Sequence, residues 1–329
     1  MVNIKNNTIA SRPKIIVIGA GSIGKRHAKN LQALGAVVHL FDVNIELLLR
    51  ICHEEGFVPC VDLDQAIEKT HFEGAIICTP THLHIPVAQK VAERGINLFI
   101  EKPLSHTLDG VDDLISLAEN NHCIAMVGFM LRFEPGLRFL KTRIEEDKVA
   151  FGQLEFGSHM PLWRKGVDYR TVYSANRSMG GGTILDDVHE LDYACWLFGY
   201  PKHVTSVFGK FSSFTIDVED TAMINFEYPD KIVSIHSDYL QRKYSRKCKI
   251  CDREGYTFEW IFGNSVHVSD KHGESVFSYA DTFDVNQLYI DEMRYFLECI
   301  DKKVHPESGL QNGKKIMEIA LAAKHECQI

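Results

Sequence analysis

The chain has 329 residues, of which 45% are apolar and 24% charged, and it carries a net charge of −8. This length accommodates two domains with separate cores, and the negative charge argues against nucleic acid or an anionic membrane as a partner. The amino terminus lacks the apolar core of a signal peptide, and no apolar run is long enough to cross a bilayer. Nine cysteines are scattered without a pattern, so we expect a reduced, cytoplasmic protein.

In the first half of the chain, strands alternate with helices. The pattern predicts, in chain order, a strand at 15–18, a helix at 23–34, a strand at 37–41, helices at 45–54 and 62–69, a strand at 74–78, a helix at 84–94, a strand at 97–101, a helix at 108–120 and a strand at 123–127. Alternation at this spacing is typical of a doubly wound parallel sheet with helices on both faces, a Rossmann domain. We assign this domain to residues 1–128.

Beyond residue 128 the pattern changes to short β-rich segments separated by turn signals. Strands are predicted at 204–211, 221–228, 232–239, 248–251, 255–262 and 265–269, with one strong helix at 184–198. Helices at 286–300 and 313–324 end the chain, where we expect them to pack back on the first domain. Residues 129–329 are therefore predicted to form an α+β domain with a largely antiparallel open sheet, which binds the substrate and mediates oligomerisation.

The first strand runs into the sequence G-x-G-x-x-G, formed by Gly19, Gly21 and Gly24. The first glycine permits a tight turn, the second lets a pyrophosphate approach the backbone, and the third lets the next helix pack closely. The helix amino terminus then offers its N–H groups to the phosphates. Asp42 ends the second strand, where its carboxylate can bind the adenosine ribose. Because Asp42 would repel a 2′-phosphate and Val43 supplies no arginine, the pattern predicts NAD rather than NADP. Turn glycines and a chance aspartate are the alternative.

Three further segments carry candidate chemistry. A loop beginning Thr79-Pro80 follows the strand predicted at 74–78, and Glu101-Lys102-Pro103 follows the strand predicted at 97–101. On a continuous helix Asp186, His189, Tyr193 and Trp196 share one face. A histidine flanked by acids can act as a general base near neutral pH. From the residues alone, Lys102 can equally be a surface lysine, and His189 a half-buried histidine that contacts Asp192.

These motifs in this order resemble the Gfo/Idh/MocA oxidoreductases, the glucose–fructose oxidoreductase and inositol dehydrogenase family. The resemblance covers nearly the whole chain. It implies oxidation or reduction of a ring hydroxyl of a sugar, polyol or sugar nucleotide with NAD(H) or NADP(H). The implied cofactor-binding residues are Gly19, Gly21, Ser22, Ile23, Gly24, Asp42, Thr79, Pro80, His84, Glu101 and Lys102.

The resemblance also implies roles at the reacting centre. Lys102 would hydrogen-bond the reacting hydroxyl and the cofactor ribose, and His189 would take or give the proton. Many relatives place a catalytic aspartate four residues before this histidine, where this chain has Leu185; Asp186, three residues before, is our substitute. The predicted catalytic residues are therefore Lys102, His189 and Asp186. The predicted substrate-binding residues are Lys102, Arg132, Arg164, Tyr169, Arg170, Asp186 and His189.

Residues 158–178 contain four cations (Arg164, Lys165, Arg170 and Arg177) against the single acid Asp168, a net charge of +3 in an acidic chain. In the family the corresponding loops border the substrate pocket, so a basic rim favours a carboxylated or nucleotide-linked sugar. The alternative is a solvated loop whose cations form ion pairs elsewhere. The sequence of residues 189–193 resembles that of a branch of the family often associated with bacterial surface-carbohydrate pathways.

A metal site is not expected. Cys248 and Cys251 have zinc-like spacing but no second cysteine pair, and His82 with His84 forms only an isolated H-x-H pair.

Two other functions stay open: a ligand-sensing regulator of the same fold without catalysis, and a reductase of a non-sugar ring such as a bilin. The presence of both Lys102 and His189 favours the enzyme. An uncovered antiparallel sheet would expose apolar area, so we expect a homodimer or homotetramer through that sheet.

Overall fold

The first half of the chain folds into a parallel sheet of six strands. The structure is a computed structural model that describes residues 12–163 and 166–326, with side chains described as far as residue 324. The strands are β1 (Lys14–Ile18), β2 (Val37–Phe41), β3 (Val58–Cys60), β4 (Gly74–Ile77), β5 (Asn97–Glu101) and β6 (Ala125–Gly128). Their order in the sheet is β3-β2-β1-β4-β5-β6. The order reverses between β1 and β4, which opens a crevice at the carboxyl ends of the strands.

Five helices connect these strands: α1 (Ser22–Ala33), α2 (Ile45–Glu55), α3 (Leu63–Lys69), α4 (His84–Ala92) and α5 (Val111–Asn120). Local sequence fixes several of their ends. Asn44 and Asp62 accept hydrogen bonds from backbone N–H groups of the first turns of α2 and α3, and Gly56 ends α2 in the left-handed conformation. The predicted elements are all present, with ends shifted by a few residues. Strand β3 was not predicted, because three residues with a central proline carry no strand periodicity.

The second half forms a sheet of eight strands. They are β7 (Val149–Gly157), β8 (His203–Gly209), β9 (Thr221–Glu227), β10 (Ile232–Asp238), β11 (Ser245–Asp252), β12 (Thr257–Ile261), β13 (Ser265–Asp270) and β14 (Gly273–Ser278). The order is β14-β13-β12-β11-β7-β10-β9-β8, and only the β7–β10 pair is parallel among the pairs described. The prediction of a largely antiparallel sheet is confirmed. Two of its strands were missed: the central β7, and β14, whose residues are all exposed.

The remaining helices are α6 (Pro135–Arg143), α7 (Thr183–Asp186), α8 (Val188–Phe198), α9 (Val285–Lys302) and α10 (Leu310–Glu326). Helix α8 packs on the second sheet, α9 packs along α1 of the first half, and α10 packs on β8 of the second sheet as well as on β6 and α5 of the first half. On α9, the ring of Phe296 lies against Gly74 and 5.8 Å from that of Phe99. The boundary at residue 128 therefore stays a prediction, since the chain returns to the first sheet near its end. No helix in the described ranges is long and apolar enough to span a membrane.

The predicted continuous helix over 184–198 is wrong. Asp187 leaves the helical conformation, with φ −99° and ψ 27°, and separates α7 from α8. Its carboxylate accepts hydrogen bonds from Arg246 (2.9 Å) and Ser237 (2.6 Å), both on the second sheet. These contacts hold the break, which a sequence pattern cannot reveal because both partners lie at least 50 residues away along the chain.

Candidate active site

The glycine-rich turn has the geometry that the sequence motif requires. Gly19 has φ +107°, and a Cβ there would lie 2.6 Å from the carbonyl oxygen of Cys78. At Gly24 a Cβ would lie 1.8 Å from the carbonyl oxygen of Gly19, so only glycine allows α1 to pack this closely. In contrast, a Cβ at Gly21 would meet no atom within 4 Å. Gly21 also begins α1 without a side-chain cap, so the helix amino terminus faces open space that can take a phosphate.

Asp42 lies beside this turn at the end of β2. Its Oδ2 accepts a hydrogen bond from the backbone N–H of Ala20 (2.7 Å), and its Oδ1 accepts one from that of Asn44 (2.8 Å). The two bonds fix the carboxylate while leaving it partly exposed to solvent. A carboxylate has further lone pairs available for ribose hydroxyls, which donate hydrogen bonds, whereas a 2′-phosphate would be repelled. The residues of this region therefore fit NAD.

A cavity of about 270 Å³ opens at the carboxyl ends of β1, β4 and β5. Thr79, Pro80 and His84 line it on the β4 side, and both ring nitrogens of His84 lie 2.9 Å from carbonyl oxygens, those of Pro103 and Thr79. His84 therefore ties two cavity loops together. The other lining residues are Ser22, Ile23, Arg26, Cys78, Thr81, Glu101, Lys102, Gly128, Met130, Tyr173, His189 and Tyr289. Residues predicted on the cofactor side and on the catalytic side thus line the same cavity.

Lys102 and Asp186 are in direct contact. The Lys102 ammonium donates to the backbone carbonyl of Asp186 (2.6 Å) and approaches its carboxylate oxygen Oδ1 at 3.4 Å. The hydroxyl of Tyr173 also donates to Oδ1, and that of Tyr239 approaches Oδ2 at 3.4 Å. Asp186 is therefore buried and positions both Lys102 and Tyr173 through hydrogen bonds. The helix break at Asp187 brings Asp186 to this position.

Two of the three predicted catalytic groups, Lys102 and His189, differ in charge. Burial disfavours the ammonium of Lys102, but the neighbouring acidic groups Tyr173, Asp186, Asp187 and Glu101 outweigh burial and raise its pKa. Burial lowers the pKa of His189 well below its usual value of 6.5, and the charges of Lys102 and Arg246 lower it further. At neutral pH the cavity therefore presents a cationic lysine and a neutral imidazole.

The alternative role for His189, a contact with Asp192, is not what the structure shows. The guanidinium of Arg132 donates two hydrogen bonds, of 2.9 and 2.6 Å, to the Asp192 carboxylate. It donates a third, of 3.0 Å, to the side chain of Asn312. His189 lines the cavity, and its Nδ1 has no hydrogen-bond partner among the residues described. Arg132, predicted to bind substrate, is buried, absent from the cavity lining and engaged by Asp192 and Asn312, so its role in substrate binding stays a prediction.

Of the cations in the predicted basic rim, the structure shows an ion pair for Arg170. Arg170 is exposed and pairs with Asp168, whose pKa falls to about 2 because of that pairing. Tyr169 lies outside the cavity, with its ring 5.8 Å from that of Phe214. Arg177 donates from its backbone and its side chain to Asp217. The expectation of an acidic substrate therefore depends on Arg177, whose guanidinium donates to the backbone carbonyl of Asp217, and on Arg164 and Lys165, which lie outside the described residues.

Several residues of the site were missed. Tyr173 sits in a loop without periodicity, and Tyr289 comes from a helix whose docking on α1 no local pattern reveals. Arg246 could have been found, because it occupies an inward position of β11, in an alternating row with the buried Cys248 and Ile250. A cation in an apolar row requires buried carboxylates, here Asp187 and Glu190.

The two cysteines with zinc-like spacing lie on different faces of the sheet. Cys248 faces inward from β11 whereas Cys251 occupies the opposite face.

Comparison with known proteins gives the family. A family model described as an oxidoreductase family with an NAD-binding Rossmann fold matches residues 13–129, and the GFO/IDH/MocA C-terminal domain matches residues 146–257. The chain belongs to the Gfo/Idh/MocA family. The predicted resemblance and the predicted cofactor, NAD, are confirmed, and the protein is an oxidoreductase by family.

Three relatives of this Gfo/Idh/MocA protein cover between 77% and 95% of its length. The myo-inositol 2-dehydrogenase of Thermotoga maritima is 25% identical over 94% of this chain and 95% of its own. The UDP-N-acetylglucosamine 3-dehydrogenase of Acidithiobacillus ferrooxidans is 28% identical over 77% of this chain and 75% of its own. A structure of levoglucosan dehydrogenase with NADH and levoglucosan is similar in fold, with a TM-score of 0.85 at 18% identity, over 95% of this chain and 96% of that one.

Proposed function

We propose that the protein transfers a hydride between NAD and a ring hydroxyl or ketone of a sugar, sugar acid, polyol or nucleotide sugar. One observation carries the proposal: a cationic Lys102 and a neutral His189 line the same cavity as the glycine-rich turn. Oxidation of a secondary alcohol needs a base for the hydroxyl proton and a cation for the developing negative charge on oxygen. The site holds one of each.

His189 is the base in this proposal. A neutral imidazole can accept the hydroxyl proton, and burial keeps it neutral at physiological pH. The two neighbouring cations, Lys102 and Arg246, oppose a third positive charge on the imidazole, so the protonated ring readily returns its proton in the reverse direction. Glu190, the next residue along α8, accepts a hydrogen bond of 2.8 Å from Arg246. His189 is therefore the base that this part of α8 offers to the substrate.

Lys102 orients the substrate hydroxyl and stabilises the alkoxide. Its ammonium has three protons, and one of them is donated in a hydrogen bond of 2.6 Å to the backbone carbonyl of Asp186. A second proton faces the Asp186 carboxylate, and the third is available to a substrate oxygen. Bound NAD supplies the acceptor of the hydride from the carbon. The glycine-rich turn, Asp42 and the loops at Thr79 and Glu101 would hold it.

The named activities of the relatives support the substrate class. They include dehydrogenases of inositol, levoglucosan and a UDP-linked sugar, each a cyclic polyhydroxyl compound. The test is turnover of the purified chain with NAD against myo-inositol, levoglucosan, a hexuronic acid and UDP-N-acetylglucosamine, followed by nicotinamide absorbance. We expect one class to react and Lys102→Ala to lose about a hundredfold or more in kcat. Lys90→Ala is the matched control, since Lys90 is exposed and pairs with Asp64.

Two results would contradict the proposal. Undiminished turnover in Lys102→Ala would remove the role assigned to this lysine. Tight NADH binding without turnover of any class would favour the second candidate, a ligand-sensing regulator of the same fold.

We also propose that the protein is a cytoplasmic homodimer or homotetramer that associates through the outer face of the second sheet. The eight cysteines of the described ranges are free thiols, as expected in a reducing compartment. The outer face carries polar residues together with exposed apolar side chains, namely Val207, Met223, Ile232, Ile261 and Val276. Burial of that apolar area would drive association. Light scattering should give a dimer or tetramer that Met223→Lys weakens; a monomeric wild type would contradict this.

A further inference from the structure

Helix α9 carries a buried carboxyl group that lacks a hydrogen-bond partner among the described residues. Glu292, on α9, has no exposed surface, and neither of its carboxyl oxygens has a hydrogen-bond partner within the described part of the chain. Buried polar groups are nearly always paired, so such a carboxyl needs an explanation. Helix α9 is firmly seated here, because Asn286 and Asn30 of α1 exchange hydrogen bonds of 3.3 and 3.0 Å.

Glu292 belongs to a cluster that reaches the cavity. One turn earlier on α9, the ring of Tyr289 lies 5.8 Å from that of His27 on α1. His27 is fully buried, and its Nε2 lies 2.6 Å from Oε1 of Glu101. Glu101 lines the cavity, and its second oxygen accepts the backbone N–H of Lys102 at 3.1 Å. Glu101 is thus in contact with whatever occupies the cavity, while Glu292 is buried and is not among the lining residues.

The surroundings of Glu292 keep it neutral. Burial raises the pKa of its carboxyl well above the usual 4.5, and the negative charges of Glu101 and Asp192 raise it further. Asp192 is itself paired with Arg132 at 2.6 Å. The groups whose charges interact with that of Glu292 are Cys78 after β4, Glu101 of β5, Asp192 of α8 and Tyr289 of α9. From α1, His27 and Arg26 both lie against the ring of Tyr289. Among these groups, Glu101 is the anion that a bound cofactor can neutralise.

We propose that Glu292, acting through Glu101, couples a proton to the charge of the bound nicotinamide. The oxidised ring carries a positive charge and the reduced ring carries none. A positive charge in the cavity offsets that of Glu101 and so favours ionisation of Glu292. Its O–H bond then breaks and the proton passes to solvent. When NADH replaces NAD⁺, the carboxylate takes a proton back, and no other bond changes. This inference depends only on NAD binding and not on any substrate.

Proton release on cofactor binding tests the proposal directly. NAD⁺ and NADH are each titrated calorimetrically into the full chain in two buffers of different ionisation enthalpy, over a series of pH values above the usual carboxyl pKa of 4.5, because burial raises the pKa of Glu292. We expect NAD⁺ to release up to about one proton more than NADH. The affinity for NAD⁺ relative to that for NADH should then rise with pH, by at most about tenfold per pH unit.

Variants separate this cluster from other titrating groups. Glu292→Gln keeps the shape and removes the proton, so the difference between NAD⁺ and NADH should vanish. Glu298→Gln is the matched control, because Glu298 lies on the same helix, is exposed and pairs with Lys302. Equal proton release by NAD⁺ and NADH in the wild type would overturn the proposal, even if Glu292→Gln failed to fold. A difference that persists in folded Glu292→Gln would also overturn it.

Discussion

The cofactor side and the substrate side of the cavity are built in different ways. On the cofactor side, the glycine turn and Asp42 come from one continuous stretch, and backbone geometry determines their function. On the substrate side, segments far apart in sequence meet through buried ion pairs, such as Arg132 with Asp192 and Arg246 with Asp187. The cofactor side is therefore determined by residues that are close in sequence. The substrate side depends on tertiary contacts, so two side chains with the same charge can have different roles there, one catalytic and one structural.

The largest effect is expected at His189. His189→Ala should lower kcat by about 10²–10⁴-fold, because it removes the proton acceptor. In the wild type, kcat/KM should be constant across neutral pH and fall only as the pH drops through the lowered pKa of this imidazole, below 6.5, since the protonated form cannot act as a base. Rates measured against pH for a substrate from the panel test both points. Loss of activity already at neutral pH would contradict the assignment.

The next effect concerns stability and separates structural from substrate-binding cations. Arg132→Ala leaves Asp192 buried without its partner and should lower the free energy of unfolding by about 3–5 kcal/mol. Denaturant unfolding measures this loss. Arg170→Ala is the control, because its pair with Asp168 is exposed and should not contribute measurably. Unchanged stability of Arg132→Ala together with a raised KM would restore the role in substrate binding predicted from the sequence.

The smallest effect is expected at Asp42. Asp42→Ala should weaken NAD⁺ binding about tenfold, about 1.4 kcal/mol, by removing a charged acceptor for ribose hydroxyls. Binding of NADP⁺ should weaken less or improve, because the repulsion of a 2′-phosphate is also removed. Equilibrium titration with both cofactors measures the ratio. An unchanged affinity for NAD⁺ would show that Asp42 does not bind the ribose.

Most of the fold and the cofactor side could be predicted from the sequence because their signals are short-range. Buried strands, capping residues and positive-φ glycines act within a few residues of each other. The break at Asp187 could not be predicted, because its cause is a contact with Arg246 and Ser237 on another sheet. Likewise, sequence alone could not show that Asp192 binds Arg132 rather than His189, or that α9 delivers Tyr289 to the cavity.

The most direct test compares NADH binding by Gly21→Ala and His189→Ala with binding by the wild type, using nicotinamide fluorescence. A Cβ at Gly21 clashes with no protein atom, so this variant should fold normally, yet the Cβ occupies the space assigned to the pyrophosphate. We expect Gly21→Ala to bind NADH about a hundredfold more weakly, a loss of about 2.8 kcal/mol. His189→Ala should bind NADH as the wild type does. Equal weakening in both variants, or unchanged binding in Gly21→Ala, would contradict the division of the cavity into a cofactor side and a substrate side.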